Sequence, residues 1–405
     1  MKWETVRLGD LYEIHNGLSK GGKFFGSGYP FLSFSTVFNH FFIPDELSDY
    51  VQSTEAERKN YSIRRGDIFI TRTSETSDEL GMSCVALKDY PDATYNGFTK
   101  RMRPITNRVL PEYIGYYMRT PIFRAKISVF SSIITRASLK NGDLLRLTVE
   151  LPNLQTQNKI ASILSAYDNL IENNQKRIKL LEQMAQRLYQ EWFVRFRFPG
   201  YETTKFVDGI PQGWEYGKIS SFYDTTAGGT PSRVHSKYYD EGTIPWIKTG
   251  EIKDSIILET EEYITEEAIK YSAAKIMPRH SIIMAMYGVN IGYVGYLGKD
   301  MACNQAGCVF QEKNVQNSNH YLFQYLRAIR EYLNGISFGA AQQNLSQKLI
   351  QRIKILMPDR AVLNLFNEKV DIIYHEIELL LRQNQNLTKQ RDLLLPRLMS
   401  GKLAV

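Results

Sequence analysis

The chain has 405 residues, 43% hydrophobic and 12% aromatic, so it is globular and long enough for two or three domains. No stretch of about 18 apolar residues occurs and MKWETVRLGD has no leader core, which predicts a soluble, cytoplasmic protein without a membrane partner. The net charge of +7 leans toward a polyanion, while Cys84, Cys303 and Cys308 form no CxxC pair and the six histidines lack ligand spacing, so no metal is expected.

In chain order, Trp3-Glu4 opens a polar-apolar alternation that leads to Gly21-Gly22-Lys23. Strand-like pieces follow at Tyr29-Pro30-Phe31-Leu32-Ser33-Phe34 and from Gly66 (GDIFITRT). PEYIGYYMR, from Pro111, has a helical pattern, and LTVELP, ending at Pro152, runs into a long helical stretch. The series then recurs. Trp214-Glu215, Gly228-Gly229-Thr230-Pro231, IPWIKT from Ile244, HSIIMAMYG from His280, NHYLFQYLR from Asn319 and IKILMP ending at Pro358 precede a second long stretch. The offset drifts from 211 (Trp214 against Trp3) to 206 (Pro358 against Pro152), as when cores match and loops differ. The predicted fold is α+β: two pseudo-repeated α/β domains at 1–150 and 214–356, long helices at 151–198 and 357–405, and a Pro/Gly-marked linker at 199–213. Pro396 is expected to fray the end of the second helix.

The long stretches share a rhythm of fours and threes. The first gives Ile160, Leu164, Tyr167, Ile171, Asn174, Ile178, Leu181, Ala185, Leu188 and Trp192. The second gives Leu363, Phe366, Val370, Ile373, Ile377, Leu380, Asn384, Leu387, Arg391, Leu394 and Leu398. So narrow a seam needs a partner helix. Each helix is about 60 Å long, and the domain joining them has a radius of only about 15 Å. The end of the first helix must therefore lie near the start of the second, which predicts an antiparallel coiled coil with a domain at each end. Placing Asn174 against Asn384 brings every seam position to a seam position. A heptad slip would leave each amide against hydrocarbon, at roughly 1–3 kcal/mol apiece.

The order of these parts resembles the specificity subunit of type I restriction-modification systems. The resemblance rests on Gly228-Gly229-Thr230-Pro231-Ser232, the IPWIKTGE string from Ile244 to Glu251, Gly213-Trp214-Glu215, Leu151-Pro152 through Ile163-Leu164, Trp192-Phe193 and Leu393 to Leu398. The first half departs more from the pattern and has no GGTP. The resemblance implies that each domain is a target-recognition domain for one half of an asymmetric, split sequence in double-stranded DNA. The helices would set the spacing and dock methyltransferase subunits, which carry S-adenosylmethionine, with a motor-nuclease subunit able to join. This chain would be a non-catalytic recognition subunit of an adenine methyltransferase/endonuclease.

Affinity for DNA is expected from Lys and Arg on phosphates, and choice of sequence from amides, hydroxyls and Arg on base edges. In the first domain Lys20, Lys23, Arg72, Thr73, Ser74, Lys100, Arg101 and Arg136 are the candidates. In the second they are Thr230, Ser232, Arg233, Lys248, Tyr287, Asn290, Gln342 and Gln343. Catalytic signatures do not survive inspection. Gly17 to Lys23 fits GxxxxGK, but Phe24 stands where a magnesium-binding hydroxyl is needed. Gly288 to Gly292 lacks dinucleotide spacing, no NPPF or DPPY tetrapeptide occurs, and Asp45-Glu46 and Asp78-Glu79 make no carboxylate cluster. The rival reading is a coiled-coil scaffold whose lobes bind proteins.

Overall fold

The computed structural model describes residues 3–74, 80–129, 137–313, 318–338 and 344–405. Two units emerge, Met1–Glu172 with Asn386–Val405, and Asn173–Gln385. Each takes a stretch of both long helices, Leu154–Tyr189 and Arg360–Met399.

The units share one strand plan. In the first, Glu4–Arg7 pairs antiparallel with Thr148–Leu151, the strand that leads into the first long helix. In the second, Glu215–Lys218 pairs in the same sense with Lys354–Met357. The main sheet of the first unit runs Tyr12–Asn16, Thr99–Pro104, Ile68–Thr71, Ser83–Val85. That of the second runs Tyr223–Ala227, Gly307–Glu312, Ile282–Ala285, Val294–Leu297, with Ile256–Ile257 added parallel at the edge. A smaller sheet centres on Phe25–Leu32, flanked by Asp49–Val51 (antiparallel) and Thr94–Tyr95 (parallel). Its counterpart centres on Ile244–Ile247, flanked by Glu262–Ile264 and Ala302–Cys303 in the same senses. The main sheets bury apolar runs rich in β-branched residues, such as Ile68, Phe69 and Ile70, or Ile282, Ile283 and Met284, all fully enclosed.

Each long helix starts after a proline with a side-chain cap. Asn153 Oδ1 accepts from the Thr156 amide at 2.8 Å, and Asp359 Oδ1 from the Val362 amide at 3.0 Å. A tyrosine ties each domain to the strand before the helix: the Tyr113 hydroxyl donates to the Glu150 carbonyl at 2.9 Å, and Tyr321 to the Leu356 carbonyl.

The helices run antiparallel within each unit. In the second, Asn174 faces Asn384, Arg177 pairs with Glu376 at 2.6 Å, and Trp192 lies 6.0 Å from Phe366 between ring centroids. Leu363, Phe366, Val370, Ile377 and Leu380 are buried there, with Ile178, Leu181, Leu188 and Ile373 half-buried against the same core. In the first unit Ile160, Leu164 and Leu398 are buried in one core with Leu394 at its edge, while Ile171 and Leu387 are half-buried.

Three details depart from the sequence reading. Pro396 does not fray the helix, which continues to Met399, because Leu395, Leu398 and Met399 are anchored in the first-unit core. Arg391, placed in the seam opposite Tyr167, instead reaches Asp168, whose carboxylate also receives the Tyr116 hydroxyl. The first helix ends in a π turn, Gln190–Val194, and both Trp192 and Phe193 are buried there. Phe193, Phe196 and Phe198 then pack around Trp214 in tilted and edge-on contacts, centroids 5.8, 5.6 and 5.2 Å away.

Candidate nucleic-acid interface

In each unit the loop after the first sheet strand meets the turn that leads into the last strand of the same sheet. The Gly17 amide donates to the Thr99 carbonyl and the Leu18 amide to the Tyr95 carbonyl. Gly228 and Gly229 donate in the same way to the Gly307 and Cys303 carbonyls. The turns also match. The Asn96 and Asn304 amides donate to the Leu32 and Ile247 carbonyls, and each Asn side chain accepts from the amide two residues on. A Cβ on Gly17 would stand 2.0 Å from the Asn96 carbonyl oxygen, and one on Gly228 2.3 Å from that of Asn304. The counterpart of Gly228 is therefore Gly17, four residues before the Gly21-Gly22 that composition had suggested. Packing between backbones fixes it, and no glycine count carries that signal.

Around this common frame the side chains differ. The first unit presents Ser19 beside Gly97, with Phe98 at the turn and 60% exposed. The second presents Thr230, whose hydroxyl donates to the Gln305 side chain, while the Tyr287 hydroxyl donates to the Gln305 carbonyl at 3.0 Å. Gln305 escaped the sequence reading, and its place in a two-strand turn opposite the GGTP loop is the signal that marks it. The GGTP and IPWIKTGE strings meet as well, since the Trp246 indole donates to the Gly229 carbonyl at 3.0 Å.

Beside them lies a charged network. Arg233 packs on the Tyr239 ring at 4.0 Å and pairs with Glu262 at 2.6 Å; Lys248 pairs with Glu261 at 2.8 Å and Glu262 at 3.2 Å. The carboxylates of Glu261 and Glu262 hold the Lys248 ammonium above its usual range. Ser232 is exposed next to Arg233. The Asn290 amide donates to the Thr249, Gly250 and Ile252 carbonyls at 3.3, 3.0 and 3.1 Å, so it braces a loop. Its NH₂ group is engaged with that loop in this structure.

In the first unit Lys23 is exposed, whereas Lys20 is held by the Gln52 carbonyl at 2.6 Å and Glu57 at 2.7 Å. Lys100 is buried against Asn16 and Asn141, and burial, then the Arg72 charge, push its ammonium down. Arg101 is buried with its guanidinium on the Ser62 carbonyl at 2.8 Å. Period-two alternation could not show that these two side chains turn inward. Arg72 is half-buried, with no partner for its Nε among the described residues. Thr73–Ser74 forms a short strand with Ala137–Ser138. Arg136, Gln342 and Gln343 lie outside the described residues. Burial pushes the Cys84, Cys303 and Cys308 thiols up to about 12, which makes them poor nucleophiles. Among the described residues no group of His, Cys, Asp and Glu is placed to hold a metal, and no helix is long and apolar enough to cross a membrane.

The type I restriction modification DNA specificity domain matches this chain twice, over residues 1–183 and 211–362. The chain belongs to that family. As a type I specificity subunit, its role is DNA target recognition. It is 26% identical to the type I restriction enzyme MjaIX specificity subunit of Methanocaldococcus jannaschii, over all of this chain and 94% of that one. Identity to the HindI specificity subunit of Haemophilus influenzae is 25%, over 99% of both chains. The fold is that of the type I S subunit crystal structure from M. genitalium, with a TM-score of 0.60 at 12% identity over 98% of this chain and 96% of the other.

Proposed function

We propose that each unit of this specificity subunit reads one half of an asymmetric bipartite DNA target, and that the long helices set the spacing between the halves. One observation carries this reading: a single backbone frame, glycine against asparagine turn, is used twice with different side chains around it. Ser19, Gly97 and Phe98 stand where Thr230, Gln305 and Ala306 stand in the second unit. An identical scaffold with a changed edge suits two readers of different base sequences. Phosphate contacts fall to exposed Lys23 and to Arg233 and Lys248, whose carboxylate partners would be exchanged for phosphate.

The same helices dock methyltransferase subunits, which bring S-adenosylmethionine and the chemistry. Leu365, Ile372 and Leu379 recur at heptad spacing on the second long helix and are 39%, 72% and 49% exposed, an apolar stripe outside the seam. A DNA reader with several phosphate contacts loses about tenfold or more in affinity for a fourfold rise in salt. Binding of the chain, with its methyltransferase subunits, to a target duplex at graded salt tests this. Affinity for DNA that does not change with salt would favour a scaffold that binds proteins.

A further inference from the structure

Val289 is 95% exposed, the highest value among the buried or exposed large apolar residues of the described chain. It sits at the tip of the connection between Ile282–Ala285 and Val294–Leu297, two residues from Tyr287. Hydrogen bonds within the connection and to one neighbouring loop brace the tip. Gly288 and Gly292 take positive φ, +90° and +76°, and the Gly292 amide donates to the Ala285 carbonyl at 2.9 Å. The Tyr293 amide donates to the Asn290 carbonyl at 2.9 Å, and the Asn290 side chain spans three carbonyls of the 249–252 loop. A β-branched side chain on such a support has little conformational freedom left to lose when it meets a ligand. Covering such a side chain with another apolar group removes both surfaces from water.

Resting on the reading of the second unit as a DNA reader, we infer that Val289 recognises the C5-methyl group of a thymine in the major groove. That methyl is the one apolar feature on a base-pair edge in this groove. Tyr287, two residues earlier in the same connection, hydrogen-bonds the Gln305 carbonyl, which ties this tip to the glycine–asparagine frame of the unit.

The test replaces each thymine of the mapped target in turn by deoxyuridine, which keeps the hydrogen-bonding edge and removes the methyl. Binding is measured for the full chain with its methyltransferase subunits. One replacement, in the half read by the second unit, weakens binding about fourfold, the worth of one buried methyl group. V289A binds the unmodified target about fourfold more weakly and no longer responds to that replacement. Because the side chain is exposed, the alanine variant folds normally. The inference is overturned if no thymine replacement matters, if that half-site holds no thymine, or if V289A still responds. It is also overturned if V289A weakens binding to all sequences alike, which marks a wedge between base steps. Sequence-specific binding that ignores deoxyuridine sinks Val289 alone, whereas loss of sequence preference by every version of the complex sinks the reading beneath it.

Discussion

The Asn174 side-chain amide donates to Asn384 Oδ1 at 2.9 Å and to Gln383 Oε1 at 3.0 Å, inside the helix pair of the second unit. Asn174 is 3% exposed, so its amide depends on these partners rather than on water. Removing one amide of such a pair costs more than removing both. Asn174→Leu alone should destabilise the chain by roughly 1 kcal/mol, and the double change with Asn384→Leu should be neutral or stabilising. Urea denaturation of the three variants checks this. A double variant as unstable as the single one would show that the amides add net stability rather than select a register.

The glycine-to-asparagine contact makes a sharper demand. Gly17→Ala and Gly228→Ala each drive a methyl into a carbonyl that cannot withdraw without breaking the turn, so each should cost roughly 1–3 kcal/mol. Gly21→Ala, with nothing within 4 Å of the added atom, should be close to neutral. Thermal melts of the three variants separate these positions. Equal effects at Gly17 and Gly21 would contradict the structural pairing of Gly17 with Gly228.

Burial pushes the Glu312 carboxyl up to about 7, even though it accepts from the Asn319 amide at 2.7 Å. An unfolded glutamate titrates near 4.3. Between about pH 4.3 and 7 the folded chain holds a proton that the unfolded chain has released, so stability from this group falls as pH rises and levels off above about 7. Glu312→Gln should therefore raise the melting midpoint at pH 8 and leave it almost unchanged at pH 4.5. The same shift at both pH values would assign the effect to packing.

If the helices act as a ruler, a heptad inserted after Glu172 and another before Asn386 should widen the gap between target halves. Seven helical residues add about 10 Å, or roughly three base pairs. The gap is read from the modified sites in host DNA. An unchanged gap would refute the ruler.

The repeat and the seams were legible because they rest on local periodicity: Tyr113 and Tyr321, 208 residues apart, hold matching strands. The surroundings of the candidate site residues were legible only in part. Thr230 and Tyr287 come together on Gln305, but Lys100 and Arg101 turn inward because their strand is covered on both faces. Alternation cannot distinguish such a strand from a half-exposed one. Gly17 was masked by the more conspicuous Gly21-Gly22, since a close approach of two distant backbones leaves no mark on either segment alone.

The most direct test of two independent readers is to exchange residues 214–356 for the matching segment of a relative with a different target, then map modified adenines across the host genome. One half of the target should change to that of the donor while the other half stays as it was. A change in both halves, or in neither, would contradict the account.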